Sequence, residues 1–198
     1  DTGVGKTRAA CALLHGCAAR GLRAVGMKPV AAGAMDTPDG PRNDDALALL
    51  AASTSRPPYR TVNPYLFRPA IAPHLAAAEA GVIIDLHRIG ACHAELAANH
   101  DVVVVEGAGG LLVPLDAART LADVALALDA EVVLVVGLRL GCLNHALLTA
   151  EAVAARRFVQ EMNIAASVHA PALMPLLSAG EAGGLLFYVM PFADAGSL

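Results

Sequence analysis

The sequence of 198 residues is 56% hydrophobic and 16% charged, with a formal net charge of −4, which excludes an intrinsically disordered chain and disfavours a nucleic-acid-binding protein. Its length predicts a single domain over residues 1–198, and its apolar runs fall short of the roughly 20 residues of a membrane-spanning helix. The four cysteines show neither CxxC spacing nor the density of a disulfide scaffold, so we expect a cytoplasmic protein. Because the apolar runs are short, we expect no membrane partner.

The first predicted element is a phosphate-binding loop that leads into a helix. Residues 3–7 read GVGKT, and the apolar residues from Thr7 to Arg20 have helical spacing, with Gly21 as a C-cap. The glycines of such a loop turn backbone N–H groups toward phosphate oxygens, while Lys6 supplies a cation near the β- and γ-phosphates and the Thr7 hydroxyl a ligand for Mg²⁺. The leading glycine of this motif, and the strand that feeds it, are expected before residue 1.

Two candidate cleft residues follow. A short apolar strand over residues 23–30 ends at Lys28, which either projects toward the phosphates or lies at the surface rim of the sheet. A helix is predicted over residues 43–52, because an asparagine and two aspartates begin it. Those aspartates, Asp44 and Asp45, supply a metal ligand or only complement the helix dipole.

The middle of the sequence alternates strand and helix patterns. Residues 33–42 and the proline-rich residues 53–73 have loop composition. Continuous apolar runs at residues 101–105 and 131–136 are typical of strands buried on both faces of a parallel sheet. Helical patterns span residues 85–98, 121–130 and 143–157. This order predicts an α/β fold with a doubly wound, mostly parallel sheet.

Glu106 ends the first of these strands and faces a glycine-rich turn. A buried, isolated carboxylate is costly unless it meets a cation, so Glu106 is either a Mg²⁺ ligand or a solvent-exposed loop residue. Residues 141–144 begin the helix that ends near Arg157, and their free N–H groups form a candidate anion site. Nothing in the sequence places a histidine base beside Cys142, so we interpret Cys142 and His145 as packing residues.

The pattern weakens after Arg157. Residues 158–168 favour a helix, residues 170–177 and 185–190 favour strands, and the glycine-containing residues 180–184 favour a flexible segment.

Seven blocks of sequence follow one another from residue 1 to about residue 157. They read DTGVGKT (1–7), GMKPVAAG (26–33), RNDDAL (42–47), TVNPY (61–65), APH (72–74), VEGAGG (105–110) and LGCLNHA (140–146). Together they strongly resemble the dethiobiotin synthetase family, whereas GKT alone would not be specific.

The resemblance implies a P-loop NTPase-like, three-layer α/β/α fold and a ligase of biotin biosynthesis. With Mg²⁺ and ATP, 7,8-diaminononanoate and CO₂ would give dethiobiotin, ADP and phosphate. A carbamate formed on one amine would be phosphorylated to a carbamic-phosphoric anhydride, which the second amine attacks. The resemblance also implies a homodimer with the substrate site at the subunit interface.

The matching positions imply a role for each site residue. The catalytic residues would be Lys28 and Lys6, and the Mg²⁺ ligands Thr7, Asp45 and Glu106. The nucleotide would be bound by Gly3, Val4, Gly5, Lys6, Thr7, Arg8, Asp45, Glu106, Gly107, Ala108 and Gly109. The substrate would be bound by Thr2, Lys28, Ala32, Gly141, Cys142, Leu143 and Asn144.

The sequence departs from the family at two places. Ala31 and Ala32 follow KPV where the family commonly has Ser or Thr, and the Gly-Trp-Val-Ala-Asn block that reads adenine is absent, so we expect a missing segment near residues 157 and 158. The alternative function is a P-loop switch ATPase of the partitioning or septum-site type that acts through partner binding. Such proteins usually carry a second lysine in the phosphate loop, where residues 1–3 read DTG.

Overall fold

The computed structural model describes residues 1–167, 178–182 and 185–189. Contacts divide the chain into two compact units, residues 1–142 and 143–198, and the single domain stays a prediction. Within the described ranges, the helices are too short or too polar to cross a membrane.

The first unit alternates short strands with helices. Its helices are α1 (Lys6–Ala19), α2 (Asp44–Ala52), α3 (Tyr59–Val62), α4 (Pro73–Glu79), α5 (Leu86–Ala97) and α6 (Leu121–Ala127). Its strands are β1 (Ala24–Met27), β2 (Val30–Ala32), β3 (Met35–Thr37), β4 (Gly40–Arg42), β5 (Tyr65–Phe67) and β6 (Val102–Val105). The helices predicted over residues 7–20, 43–52, 85–98 and 121–130 are confirmed, with small differences at their ends.

Two parallel strand pairs characterise this unit. β1 pairs with β6 in a register that joins Ala24 to Val102 and Met27 to Val105, and β2 pairs with β5. Parallel neighbours need a crossover connection, and helices occur in the sequence between the paired strands. The α/β class is therefore confirmed. β3 and β4 form an antiparallel hairpin, so residues 33–42, predicted as a loop, contain two short strands.

The hydrophobic core surrounds β1, whose residues are all buried. Val25 and Met27 join one cluster with side chains of α4, α5 and α6. Ala24 joins a second cluster with Leu14 of α1 and Leu49 of α2. Because successive strand residues point to opposite faces, helices cover β1 on both faces, which explains why its sequence is apolar without alternation.

α2 approaches β1 closely at Gly26. A Cβ atom at residue 26 would lie 2.7 Å from Leu49 Cβ and 3.2 Å from Leu14 Cδ1, which is closer than side-chain carbons pack. The absence of a side chain at Gly26 therefore fixes how near α2 lies to the strand that ends just before Lys28.

The strand predicted over residues 131–136 is wrong. The segment has no strand structure, and Val133 is 67% exposed. A strand needs a hydrogen-bonded neighbour as well as apolar side chains, and among the described strands none pairs with these residues. The apolar composition of this segment therefore predicts neither its burial nor a pairing partner correctly.

The long loop predicted over residues 53–73 is wrong in part, because it contains α3, β5 and the first residue of α4. Pro58 precedes α3 as its N-cap, and Pro73 lies in the first turn of α4. A missing N–H costs nothing at these positions, so the prolines begin helices here rather than exclude them.

The second unit follows the start of α7 (Cys142–Ser167) and contains the antiparallel pair β7 (Ser178–Ala182) and β8 (Leu185–Val189). The helix predicted over residues 143–157 is confirmed, its extension over 158–168 is confirmed as far as Ser167, and the strand over 185–190 is confirmed as far as Val189. The flexible segment predicted at 180–184 is wrong for residues 180–182, which belong to β7. The strand predicted over 170–177 lies outside the described residues.

Candidate active site

The loop at residues 3–7 contains two glycines with positive φ angles before α1 begins. Gly3 has a φ of 73° and Gly5 a φ of 98°, and a Cβ atom at either position would meet nothing within 4 Å. Glycine is therefore required for backbone conformation rather than for space. Gly5 is the N-cap of α1, so the N–H groups of the first helical turn lack intrahelical partners and carry the positive end of the helix dipole.

The parallel pairing of β1 and β6 brings Lys28 and Glu106 together. Met27 is opposite Val105, so the residues that follow leave the same edge of the sheet. Lys28 Nζ lies 2.8 Å from Glu106 Oε1, and the two residues are 3% and 4% exposed. Lys28 is therefore not a surface lysine at the rim, and Glu106 is not a solvent-exposed loop residue.

Asp45 reaches the same place from the first turn of α2. Its Oδ2 accepts a hydrogen bond from Lys28 Nζ at 2.8 Å, and its Oδ1 lies 2.9 Å from Thr7 Oγ1. Thr7 Oγ1 also lies 3.0 Å from Glu106 Oε1. Four elements, α1, β1, α2 and β6, thus bring together one ammonium group, two carboxylates and one hydroxyl. We call this group the carboxylate cluster (Thr7, Lys28, Asp45, Glu106).

The carboxylate cluster fits a Mg²⁺ ion. Glu106 Oε2 is buried and has no hydrogen-bond partner, which leaves one carboxylate oxygen available to a cation. The donor set is made of oxygens, as a hard divalent cation prefers. Among the described residues, no group of three or more His, Cys, Asp or Glu side chains could hold a metal ion. Mg²⁺ does not need such a group, because it keeps several water and phosphate ligands and is bound by one or two carboxylates.

Charges within the cleft shift two pKa values. Burial acts to raise the pKa of Asp45, but the hydrogen bond and charge of Lys28, with the Thr7 hydroxyl, outweigh burial and hold that pKa below its usual range. Burial and then the charge of Lys28 lower the pKa of Lys6, although Glu106 and Asp45 act in the opposite direction. Asp45 is therefore anionic at neutral pH and ready to receive a cation.

The carboxylate cluster and the loop border one cleft of about 1060 Å³. The other wall is apolar and is made of Ala31, Ala32, Ala70, Ile71, Ala72, Pro73 and Val113. Lys6 and Lys28, the two lysines of the whole sequence, both line this cleft. The cleft therefore has a cationic end suited to phosphates and an apolar side suited to a hydrocarbon chain.

Most of the residues predicted for the site meet in this cleft. It is lined by Thr2, Gly3, Val4, Gly5, Lys6, Thr7, Arg8, Lys28, Ala32, Asp45, Glu106, Ala108 and Gly109. Gly107 contributes its carbonyl oxygen, 3.3 Å from Lys28 Nζ. Gly141 and Cys142 are not among the lining residues, and Leu143 and Asn144 belong to the second unit. Their predicted role in substrate binding stays a prediction.

Several residues of the cleft are not identified by the sequence patterns. Asn43 was assigned only a capping role, yet it also lines the cleft. The wall at residues 70–73 was hidden within a predicted loop, and the block APH at residues 72–74 was the available signal. Val113 lies where a Cβ atom at Gly109 would approach it to 2.9 Å, a contact that no local pattern reveals.

Comparisons with known proteins agree with one another. A family model described as an AAA domain matches residues 1–174. The chain is 57% identical over 155 residues to the ATP-dependent dethiobiotin synthetase BioD of Xanthomonas euvesicatoria pv. vesicatoria, a match that covers 78% of this chain and 69% of that protein. Over the same shares of each chain, the proteins of that name from Xanthomonas campestris pv. campestris (strain 8004) and Xylella fastidiosa are 57% and 54% identical.

Proposed function

Since this chain belongs to the dethiobiotin synthetase family of ATP-dependent ligases, we propose that it converts 7,8-diaminononanoate, CO₂ and ATP into dethiobiotin, ADP and phosphate. The observation that carries the proposal is the carboxylate cluster, which lies beside the phosphate loop in a cleft with an apolar wall. The names of the relatives favour this ligase over a P-loop switch ATPase.

The proposed reaction has three steps. One amine of the substrate captures CO₂ and loses a proton, which forms a carbamate. A carbamate oxygen attacks the γ-phosphorus of ATP, so that ADP leaves and a carbamic-phosphoric anhydride forms. The second amine then attacks the carbonyl carbon of the anhydride, the C–O bond to phosphate breaks, and a proton leaves as the ureido ring closes.

The lysines have different roles in this scheme. The loop N–H groups of Gly3 to Thr7 hold the triphosphate, and Lys6 neutralises charge on the β- and γ-phosphates. Lys28, held between two carboxylates, lies near the carbamate and the γ-phosphate and stabilises negative charge during phosphoryl transfer. Little acid or base chemistry by side chains is needed, because the amines and the phosphate carry the reaction.

Mg²⁺ is the proposed metal. Thr7, Asp45 and Glu106 would hold it, and it would supply positive charge to the phosphate oxygens of ATP. The unpartnered Oε2 of Glu106 supports this assignment.

The assembly is also part of the proposal. We infer a homodimer in which the start of α7, at Gly141 to Asn144, binds the substrate carboxylate in the site of the other subunit through backbone N–H groups. A doubly wound sheet in three α/β/α layers, with the P-loop at one edge, would carry each site.

Coupling of ATP cleavage to the substrate tests the proposed function. Phosphate release should require both the diamine and bicarbonate, because the acceptor of the phosphoryl group does not exist until CO₂ is captured. Phosphate would be measured with each component omitted in turn, and dethiobiotin by mass spectrometry. Phosphate release that is equally fast without the diamine would contradict the ligase and support a switch ATPase.

A further inference from the structure

Lys28 is held at its backbone as well as at its ammonium group. Its N–H donates to the Val62 carbonyl at 2.8 Å, and its own carbonyl accepts a hydrogen bond from Asn63 Nδ2 at 2.6 Å. The buried Asn63 amide also donates to the Tyr65 carbonyl at 3.2 Å. The segment that joins α3 to β5 therefore fixes both peptide groups of Lys28.

The hydroxyl of Tyr59 connects this segment to α2. It lies 3.1 Å from Asn63 Oδ1 and accepts the backbone N–H of Asn43 at 2.8 Å. Asn43 is the N-cap of α2, and its side chain accepts the N–H of Ala46. Asp45, whose carboxylate accepts a hydrogen bond from Lys28 Nζ, follows Asn43 by two residues.

The direction of these hydrogen bonds follows from the acceptors. Both partners of Asn63 Nδ2 are carbonyl oxygens, so the amide orientation is fixed and Oδ1 can only accept. The Tyr59 hydroxyl must therefore donate its proton to Asn63 and use its oxygen for Asn43. Both hydrogen-bonding functions of the hydroxyl are occupied by groups that lead to the carboxylate cluster.

A closed cycle results, which we call the Tyr59 cycle: hydrogen bonds join Lys28 to Asn63, Asn63 to Tyr59 and Tyr59 to Asn43. The backbone of α2 joins Asn43 to Asp45, and the Lys28–Asp45 ion pair closes the cycle. The Tyr59 side chain does not line the cleft. Its ring is held by the Arg42 guanidinium, 4.4 Å above the ring centroid. Burial raises the pKa of Tyr59, so the hydroxyl keeps the proton that it donates.

We propose that Tyr59 is a positioning residue, whose hydroxyl sets the separation of the Lys28 backbone from α2 and thereby aims the Lys28 ammonium group. The role rests on the proposed function, in which that ammonium group faces the transferring phosphoryl group. Without the hydroxyl, Asn63 and α2 lose their common partner, and Lys28 and Asp45 lose the coupling between their backbones. Small displacements of a charged group matter most in the transition state.

The first test replaces Tyr59 by phenylalanine, which removes the hydroxyl and keeps the ring under Arg42. We expect kcat to fall about tenfold while the KM for ATP changes less than about twofold, since a displaced Lys28 affects the transition state more than nucleotide binding. The matched control is Tyr65→Phe, because the Tyr65 hydroxyl also accepts one backbone N–H at 2.8 Å, from Asp85, but takes no part in the Tyr59 cycle. Tyr65→Phe should retain the kcat of the unmodified protein, even if its free energy of unfolding decreases.

The second test observes Lys28 directly in the protein without substrates. The sequence contains two lysines, so incorporation of ¹³Cε-lysine gives two side-chain NMR signals, and Lys28→Arg identifies the one from Lys28. Tyr59→Phe should shift or broaden the Lys28 signal and leave the Lys6 signal in place, whereas Tyr65→Phe should change neither. Asn63→Ala, which opens the Tyr59 cycle at another contact, should alter the same signal.

The outcomes separate this inference from the proposed function. An unchanged Lys28 signal in Tyr59→Phe overturns the positioning role, even if kcat falls, because the loss would then not pass through Lys28. An unchanged kcat overturns it equally. If the unmodified protein makes no dethiobiotin, the proposed function fails, while the NMR result still decides whether Tyr59 positions Lys28.

Discussion

At the scale of one residue, the two oxygens of the Glu106 carboxylate have different surroundings. One oxygen of its carboxylate binds Lys28, and the other is buried without a hydrogen-bond partner. Glu106→Gln keeps the shape and removes the charge that a hard cation prefers. We expect the Mg²⁺ concentration for half-maximal activity to rise about tenfold or more, with a smaller effect on metal-free ATP binding, as measured by Mg²⁺ titration and calorimetry.

The exposed Glu79→Gln serves as the control for that substitution, because it removes the same charge from the end of α4. Its Mg²⁺ titration should match that of the unmodified protein. An unchanged titration in Glu106→Gln would place Glu106 outside the metal site.

Asp101 gives a residue-level prediction about pH. Its hydrogen bonds to the Arg23 side chain and backbone lower its pKa from 3.8 to about 2. A carboxylate with a lowered pKa in the folded state stabilises the protein fully above pH 3.8 and loses this contribution as the pH falls through its folded pKa. The melting temperature of Asp101→Asn should therefore decrease less steeply than that of the unmodified protein between about pH 4 and pH 2.

Asp116 contributes to stability over the same pH range, because its hydrogen bond with the Arg119 side chain lowers its pKa to about 2. Asp116 must therefore stay unchanged when Asp101→Asn is compared with the unmodified protein. Asp116→Asn should flatten the same acid range, and the two effects should add because the pairs share no side chain. Parallel melting curves for Asp101→Asn and the unmodified protein across this range would rule out the Arg23 contact as the cause.

Among single residues, the sequence predicted chemistry better than geometry. The sequence singles out Lys6, Thr7, Lys28, Asp45 and Glu106, and the structure brings all five to one cleft, while their roles stay predictions. Local sequence does not distinguish a buried Lys28 and Glu106 from a rim lysine and an exposed glutamate, because their burial depends on the pairing of β1 with β6. Tyr59 gave no signal, since its hydroxyl acts through two asparagines, one 4 and the other 16 residues away, whose contacts no local pattern predicts.

At the scale of secondary-structure elements, the contact of α2 with β1 offers a sharp test. Gly26→Ala would place a methyl group 2.7 Å from Leu49 Cβ, and overpacking of this kind destabilises proteins by about 1–3 kcal/mol. The free energy of unfolding would be measured by denaturant titration. Because α2 also carries Asp45, activity should fall with stability.

Gly90→Ala is the matched control. Gly90 lies within α5, and a Cβ atom there would meet nothing within 4 Å. Alanine should stabilise this helix by about 0.5–1 kcal/mol, because glycine loses more backbone entropy on folding. The same substitution is thus expected to have opposite signs at the two positions, and destabilisation of similar size at both would refute the role of close packing at Gly26.

Element prediction succeeded where a local signal was sufficient. Both α2 and α5 are expected from the sequence, α2 with its asparagine cap, whereas the aspartate cap of α5 comes from the structure alone. The strand prediction at residues 131–136 is wrong, because a strand needs a hydrogen-bonded neighbour and composition does not identify one. The loop prediction at residues 53–73 is wrong in part, because proline is compatible with the start of a helix and therefore does not exclude one.

At the scale of the whole molecule, the proposed shared site predicts complementation between subunits. Lys28→Ala should inactivate one part of a site, and Gly141→Glu should repel the substrate carboxylate from the start of α7. If each site takes these parts from different subunits, a heterodimer of the two inactive variants has one intact site, and mixing restores activity. The two variants would be mixed under conditions that dissociate the subunits and then allowed to reassociate, and the restored activity would be measured as ATP-dependent dethiobiotin formation.

Each variant mixed with itself is the control and should stay inactive. If both parts come from the same subunit, every site in the heterodimer keeps one defect. A mixture that remains inactive although exchange is verified by mass spectrometry would overturn the shared site.

The sequence contains only two lysines, both in the cleft, so lysine acylation can occur at only two positions. Lys28 is 3% exposed and engaged with two carboxylates, whereas Lys6 is more accessible and has a lowered pKa. An acylating reagent therefore encounters one reactive lysine amine, and that amine is the one proposed to hold the phosphates. Each acyl group that peptide mapping assigns to a lysine would then correspond to one lost nucleotide site, and protection by ATP would report occupancy without a labelled ligand.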